Sequence, residues 1–347
     1  MKSNKIFTIL VLTLIIGASS VFLFNAQEEK VEDQESGLVF LSGLSGKIND
    51  VNRVLINDGT LIVNLVKNEK DWVVEEKSGY TADFSKVKQL LVTLADMETV
   101  ESKTSRPENY GRLGVQGVGE PGEEKSKLIQ LLDNSGGVLY SVVIGKAKQA
   151  SGPGAKSALY VRQENEKMSW LVVGEIRLPT SVNDWLDKAV VNIDRADIQS
   201  VAINHTDNTS LKISKAEKET PDFSIEEQPS KTKVKSVATV NNIAGSLQNL
   251  TFDDVLVRGK FDVTEKEISK AEFKTYDGLL ISAKLAKKDD KSYIWFDAKS
   301  LVEDASVAEK AQKLNNNFAL WVYQIPSFKA DSVLKNMDDL VEKEAKK

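Results

Sequence analysis

Residues 51–67, VNRVLINDGTLIVNLVK, decide how the chain folds. Val54 and Ile56, then Leu61, Val63 and Leu65, recur at every second position, the period that lines one face of a β-strand. Asn57-Asp58-Gly59 separates the two runs, and a glycine there tolerates the positive φ that a tight hairpin demands. The prediction is an antiparallel pair over 51–56 and 61–67. Working outward, Asp71-Trp72-Val73-Val74-Glu75-Glu76 predicts a third strand. Val87, Leu90, Leu91, Leu94 and Met97 then fall on one helical face, with Asp83 or Ser85 as cap. Strands return at 128–132, 138–144, 158–162 and 170–173, with Asp133 to Gly137 as a turn, and residues 179–186 close this half around Trp185.

The second half repeats the first. Val201 and Ile203 echo Val54 and Ile56 at a shift of 147, and Leu211 and Ile213 continue the hairpin. Asp222-Phe223-Ser224-Ile225-Glu226-Glu227 answers the third strand at a shift of 151, and Trp321 follows Trp170 at the same shift. A helix is predicted over 240–250, strands over 272–276 and 279–285 about Asp277-Gly278, and a further helix over 301–314. The expected fold class is α+β: two related modules of mostly antiparallel β-sheet with one packed helix each, at 50–192 and 193–330. Residues 331–347 read as an amphipathic helix, with Val333, Leu334, Met337, Leu340 and Val341 on one face.

Ahead of the body, residues 6–24 run for nineteen positions without a charge, roughly 28 Å as a helix and close to a bilayer's apolar core. Lys2 and Lys5 precede this run, and Glu28, Glu29, Glu32, Asp33 and Glu35 follow it. Positive residues stay inside, so the expectation is a cytoplasmic start at 1–5, a single membrane anchor at 6–24, an acidic tether at 25–49 and an extracytoplasmic body. A charged start and apolar core also describe a cleaved signal peptide, with small residues at Ala18-Ser19-Ser20. The apolar run continues through Val21 to Phe24, which favours retention.

The chain has 347 residues, 41% apolar and 28% charged, with a mean hydropathy of −0.27, enough for two domains with real cores. A net charge of −5 with dispersed basic residues argues against nucleic acid. The absence of cysteine removes disulfides, thiolate chemistry and lipid attachment at a cysteine. His205, the sole histidine, lies beside Thr206-Asp207-Asn208 and reads as a turn residue. Residues 150–157, ASGPGAKS, brush against a phosphate-binding loop but have alanine at both required glycine positions. Gly114 to Gly119 reads as a flexible loop. Glu75-Glu76 and Glu226-Glu227, as neighbours on strands, point to opposite faces and converge on nothing. Trp72, Trp170, Trp185, Trp295 and Trp321 read mostly as core. No catalytic, metal or cofactor residue stands out. Tyr110 and Arg112, on a long glycine-bearing loop over 102–124, are the candidate surface binding residues.

Several of these stretches resemble one family. They are Asp71-Trp72-Val73-Val74-Glu75 before a leucine-rich helix, Glu108-Asn109-Tyr110-Gly111-Arg112-Leu113-Gly114-Val115, Leu159-Tyr160-Val161-Arg162, Ser169-Trp170-Leu171-Val172 and Trp185-Leu186-Asp187. In their order and spacing the chain resembles the DUF4340 family of bacterial membrane-anchored proteins, which has no established activity. It departs at Tyr110-Gly111-Arg112-Leu113, where Tyr-Gly-Leu is commoner. The resemblance implies an envelope accessory role beside an ABC-type transport or gliding-like system, with a protein partner and no assigned catalytic residue. The competing expectation is an envelope hydrolase whose carboxylates meet only in the fold.

Overall fold

The computed structural model describes residues 36–148 and 156–343. The predicted anchor, the first part of the tether and most of the 150–157 stretch lie outside them. Among the described residues no helix is long and apolar enough to cross a membrane. The chain divides into two compact units, one of Met1–Val66 with Ser85–Leu178, the other of Lys67–Phe84 with Pro179–Lys347. Both are built of mostly antiparallel β-sheet with a few helices, an α+β protein rich in sheet.

In the first unit the opening hairpin forms as β1, Arg53–Asn57, and β2, Ile62–Lys67, with Val54 opposite Leu65 and Ile56 opposite Val63. These four side chains are at most 5% exposed, so the period-two pattern does set the buried face. Gly59 takes φ 87°, and its N–H is received by Asn57 Oδ1 at 2.8 Å. The next pair, Trp72–Val74 (β3) and Tyr80–Thr81 (β4), belongs by its contacts to the second unit. The first unit continues with helix α1, Phe84–Ala95, which buries Val87, Leu90, Leu91 and Leu94. Strands β5 (Glu98–Thr104), β6 (Lys127–Leu132), β7 (Val138–Lys148), β8 (Ala158–Gln163) and β9 (Ser169–Val173) complete a run ordered β2-β1-β6-β7-β8-β9-β5, every neighbouring pair antiparallel.

The tether is shorter than predicted. Val39 bridges to Glu98, the Phe40 N–H donates to Met97 O at 2.7 Å, and Leu41 and Leu44 are buried at 1% and 0%. Residues from about 37 onward are therefore tied to the folded body, anchored by the buried Phe40, Leu41 and Leu44 that a glycine- and serine-spotted reading passed over.

The second unit adds a short pair, β10 (Ala189–Val191) with a later β15 (Leu250–Thr251), and a large sheet. Its strands are β11 (Ile198–Asn204), β12 (Ser210–Ser214), β13 (Ser224–Ile225), β16 (Asp254–Val257), β17 (Ser269–Thr275), β18 (Leu279–Lys288), β19 (Lys291–Ser300) and β20 (Trp321–Ile325). Their order is β13-β12-β11-β17-β18-β19-β20-β16. From β12 to β16 this is the same succession as β2 to β5 in the first unit. The registers agree too: Val54 stands opposite Leu65 and Leu131, and Val201 stands opposite Ile213 and Phe273.

Helix α2, Val237–Ala244, is capped by Ser236, whose hydroxyl accepts from the Thr239 N–H. Helix α3, Ala305–Phe318, enters between β19 and β20, where the first unit has only a short turn between β8 and β9. From α3, Asn315 reaches back to β19, donating from Nδ2 to Ala298 O and accepting the Ala298 N–H at Oδ1, both at 2.7 Å. β20 pairs with β19 only along Ser292 to Ile294, so on that side of β19 the Asn315 amide serves Ala298 in place of a strand, β18 flanking the other side. The predicted single helix over 331–347 does not form. Instead α4, Ser327–Val333, a turn at Met337–Leu340 and strand β21, Val341–Lys343, follow in succession, and β21 pairs with β14, Thr232–Val234. α4 stops at Val333, and Asn336 starts the next turn as its N-cap, its side chain accepting from Asp339 N while the Asp339 carboxylate accepts from Asn336 N.

Candidate functional site

Of the two candidate surface residues, only Arg112 is exposed. Tyr110 is 7% exposed, clustered with Val115 and Val143, and its hydroxyl donates to the Lys167 carbonyl. The Arg162 guanidinium lies over its ring. The loop predicted to be flexible is tightly built. Val115 is fully buried, Gln116 Nε2 donates to Glu124 O at 2.7 Å, and the Glu124 N–H donates to Gly111 O at 3.1 Å. Its glycines serve close packing. A Cβ on Gly111 would stand 2.9 Å from Gly122 Cα, and one on Gly145 would stand 2.3 Å from Leu113 O. Tyr110 is thus buried in structural contacts instead of standing at the surface, while Arg112 of the same motif is exposed.

The other sequence motifs also find settled roles. His205 stands at the end of β11, its N–H donating to Thr209 O and its carbonyl accepting from Asn208, a turn as expected. It borders a cavity of about 440 Å³ with Ser292 and Tyr293, in which His205 Nε2 and the Ser292 hydroxyl find no protein partner. Glu75-Glu76 opens a 3₁₀ turn instead of extending β3, and Glu227 takes a left-handed φ of 56°. Trp72, Trp185 and Trp295 are buried; Trp170 and Trp321 are half-buried. Among the described residues no group of three or more metal-ligating side chains gathers.

The second unit carries a groove of about 660 Å³. Its floor holds Lys215, one residue beyond β12 and 6% exposed. The Lys215 Nζ donates to Ala196 O at 3.3 Å and Lys218 O at 3.2 Å, and lies 5.2 Å from the Phe223 ring centre and 5.6 Å from that of Tyr276. Burial, then the charges of Arg195 and Lys218, lower its pKa from the ordinary lysine value. Asn241 shapes this wall: its Oδ1 accepts from Phe223 N at 2.9 Å and its Nδ2 donates to Asp222 at 2.7 Å. Arg195, Lys218 and Lys329 bring further positive charge, against Asp194 and Glu219. Asp194 is committed to the chain, accepting the Ala196 N–H at 2.8 Å, and Lys218 is paired with Asp197 at 2.7 Å. A desolvated ammonium in a polar hollow can hold an anion. Sequence reasoning missed this site, although Lys215 carried a signal: it follows Leu211 and Ile213 at the next inward position of the alternation.

A family model described as Domain of unknown function (DUF4340) matches residues 72–277. No curated protein and no solved structure matches the chain. The match spans more than half of the sequence, and the chain belongs to the DUF4340 family.

Proposed function

We propose that this DUF4340 protein is a membrane-anchored accessory component of the bacterial cell envelope that works by binding rather than by catalysis. In this reading residues 6–24 span the cytoplasmic membrane with the N-terminus inside, and the two sheet-rich units stand on the outer side. They serve an assembly such as an ABC-type transport or gliding-like system through a protein partner. The common strand order and registers support reading the units as an internal duplication, each a variation on one module with a packed helix.

The observation that carries the binding role is the groove around Lys215, a hollow with an excess of cations and a buried ammonium lacking a carboxylate partner among the described residues. The competing hydrolase would need a carboxylic acid kept protonated near neutral pH. Several carboxyls depart from their ordinary range, and these do so downward. Asp133 does so through the Ser135 hydroxyl and the Gly137 amide, and Asp304 through Ser306.

Crosslinking in intact cells followed by identification of co-purifying proteins tests the role. A membrane-assembly partner is expected; its absence together with hydrolysis of envelope material by the purified protein would overturn it. A reporter fused after Lys347 and active only in the cytoplasm would reverse the orientation.

A further inference from the structure

Three cations in the groove have no anionic partner among the described residues. Lys215 uses two of its three N–H donors on the Ala196 and Lys218 carbonyls. Arg195 forms no ion pair, and its stem runs beside Gly245, at ordinary contact distance. Lys329, from α4, has its ammonium 6.0 Å from the Phe328 ring centre and likewise forms no ion pair. The three come from separate segments: the turn before β11, the exit of β12 and the start of α4.

Donors arriving from several directions suit a tetrahedral oxyanion. A planar carboxylate offers only two oxygens in one plane. The remaining wall is of another kind. Asn242 and Gln248 supply exposed amides, and Phe328, 67% exposed, presents an apolar ring at the border. Amides suit hydroxyl groups, and an aromatic face suits the C–H face of a sugar. A hollow of about 660 Å³ is also too large for an inorganic anion alone and falls within the range of small-molecule sites.

We infer that the groove binds a phosphorylated sugar, with the phosphate received by Lys215, Arg195 and Lys329 and the sugar ring lying against Phe328. This rests on the binding role proposed above and names its ligand class.

Calorimetric titration of the full chain in detergent tests it, with glucose 1-phosphate, inorganic phosphate, glucose and glucuronate as probes. Glucose 1-phosphate is expected to bind at least tenfold more tightly than the other three. Arg195→Gln should weaken it at least tenfold, and Phe328→Ala should weaken glucose 1-phosphate while leaving inorganic phosphate unchanged. Both positions are exposed, and unshifted thermal melts of the two variants will show that the fold is kept. Glucose attached through a phosphodiester to a prenyl chain, in the same micelles, distinguishes a lipid-borne from a soluble source; tighter binding of either form supports the inference. No saturable binding, equal binding of glucuronate, or an Arg195→Gln variant of unchanged affinity overturns it. Sugar-phosphate binding without a crosslinked envelope partner would sink the accessory role alone, and a partner without sugar-phosphate binding would sink this inference alone.

Discussion

The Arg162 guanidinium stands 4.8 Å from the centre of the Tyr110 ring. Its Nε donates to Val115 O at 2.9 Å, and its Nη1 reaches the carbonyls of Glu164 and Glu166 at 2.8 and 3.0 Å. No carboxylate pairs with Arg162 among the described residues. One planar cation thereby ties the loop carrying Val115 to the turn that joins β8 and β9.

Replacing Arg162 with lysine removes the fork while keeping the charge, and leaves the buried Val115 carbonyl without its donor and those of Glu164 and Glu166 with water alone. The expected loss is about 2–3 kcal/mol. Tyr110→Phe loses one hydroxyl bond, about 1 kcal/mol. Arg112→Ala, on the exposed side of the same motif, should stay within about 0.5 kcal/mol. Urea unfolding of the three variants measures this; an Arg112→Ala loss equal to that of Arg162→Lys would refute the assignment of roles.

Gly145 sits in the β-bulge between Ile144 and Ala147, where β7 makes room for the Leu113 carbonyl. Gly145→Ala forces that backbone apart and should cost about 2–3 kcal/mol. Gly46, in the helical turn Leu44–Lys47, has open space around it, and Gly46→Ala should be neutral or stabilising by up to about 1 kcal/mol. Thermal melts should show Gly145→Ala falling and Gly46→Ala unchanged or raised; equal losses would count against close approach as what the glycine at 145 provides.

Tyr80 packs edge-on against Trp321 at 4.9 Å and against Phe252 at 5.3 Å, with Tyr323 at 6.3 Å. Burial pushes the Tyr323 phenol up to about 12, and burial with the neighbouring Tyr323 pushes that of Tyr80 up as well. Both stay neutral in the fold, whereas an unfolded tyrosine ionises near 10. Their contribution is therefore complete below pH 10 and is lost as pH rises from 10 towards 12. Circular dichroism across that range should show unfolding, and Tyr80→Phe should make the decline shallower. An unchanged slope would count against this pair as the cause.

Lys215 predicts the opposite trend. With its folded pKa below the ordinary 10.5, the unfolded chain takes up this proton more readily, so stability rises with pH up to about 10.5. Lys215→Met removes the group. Paired urea melts at pH 7 and pH 9.5 should show wild type gaining on the variant at the higher pH, and a constant difference would contradict a desolvated ammonium.

How far the sequence carried depends on which contacts a pattern can express. The β1–β2 hairpin and its echo at β11 and β12 were legible because strict alternation meets a one-sided core. Strands β5 and β16 were not, for each closes one end of its sheet run and buries little: Thr99 alone in β5 and Val255 alone in β16. Tyr110 was misplaced because glycine in a polar loop looks like freedom, whereas Gly111, Gly122 and Gly145 mark crowding. The groove draws on residues near 195, 215, 245 and 329, and no local window contains such a meeting. Lys215, just past β12, puts an ammonium at the next inward position of the alternation, and that was the available clue.

Asn315 presents to Ala298 the same donor and acceptor that a neighbouring chain would offer. The far end of β19 is thereby shut to foreign strands without spending a strand of its own. An Asn315→Leu protein would keep the helix yet bare one N–H and one carbonyl beside β20, an invitation to self-association. In the binding role proposed above, this amide keeps the sheet from meeting the wrong chains.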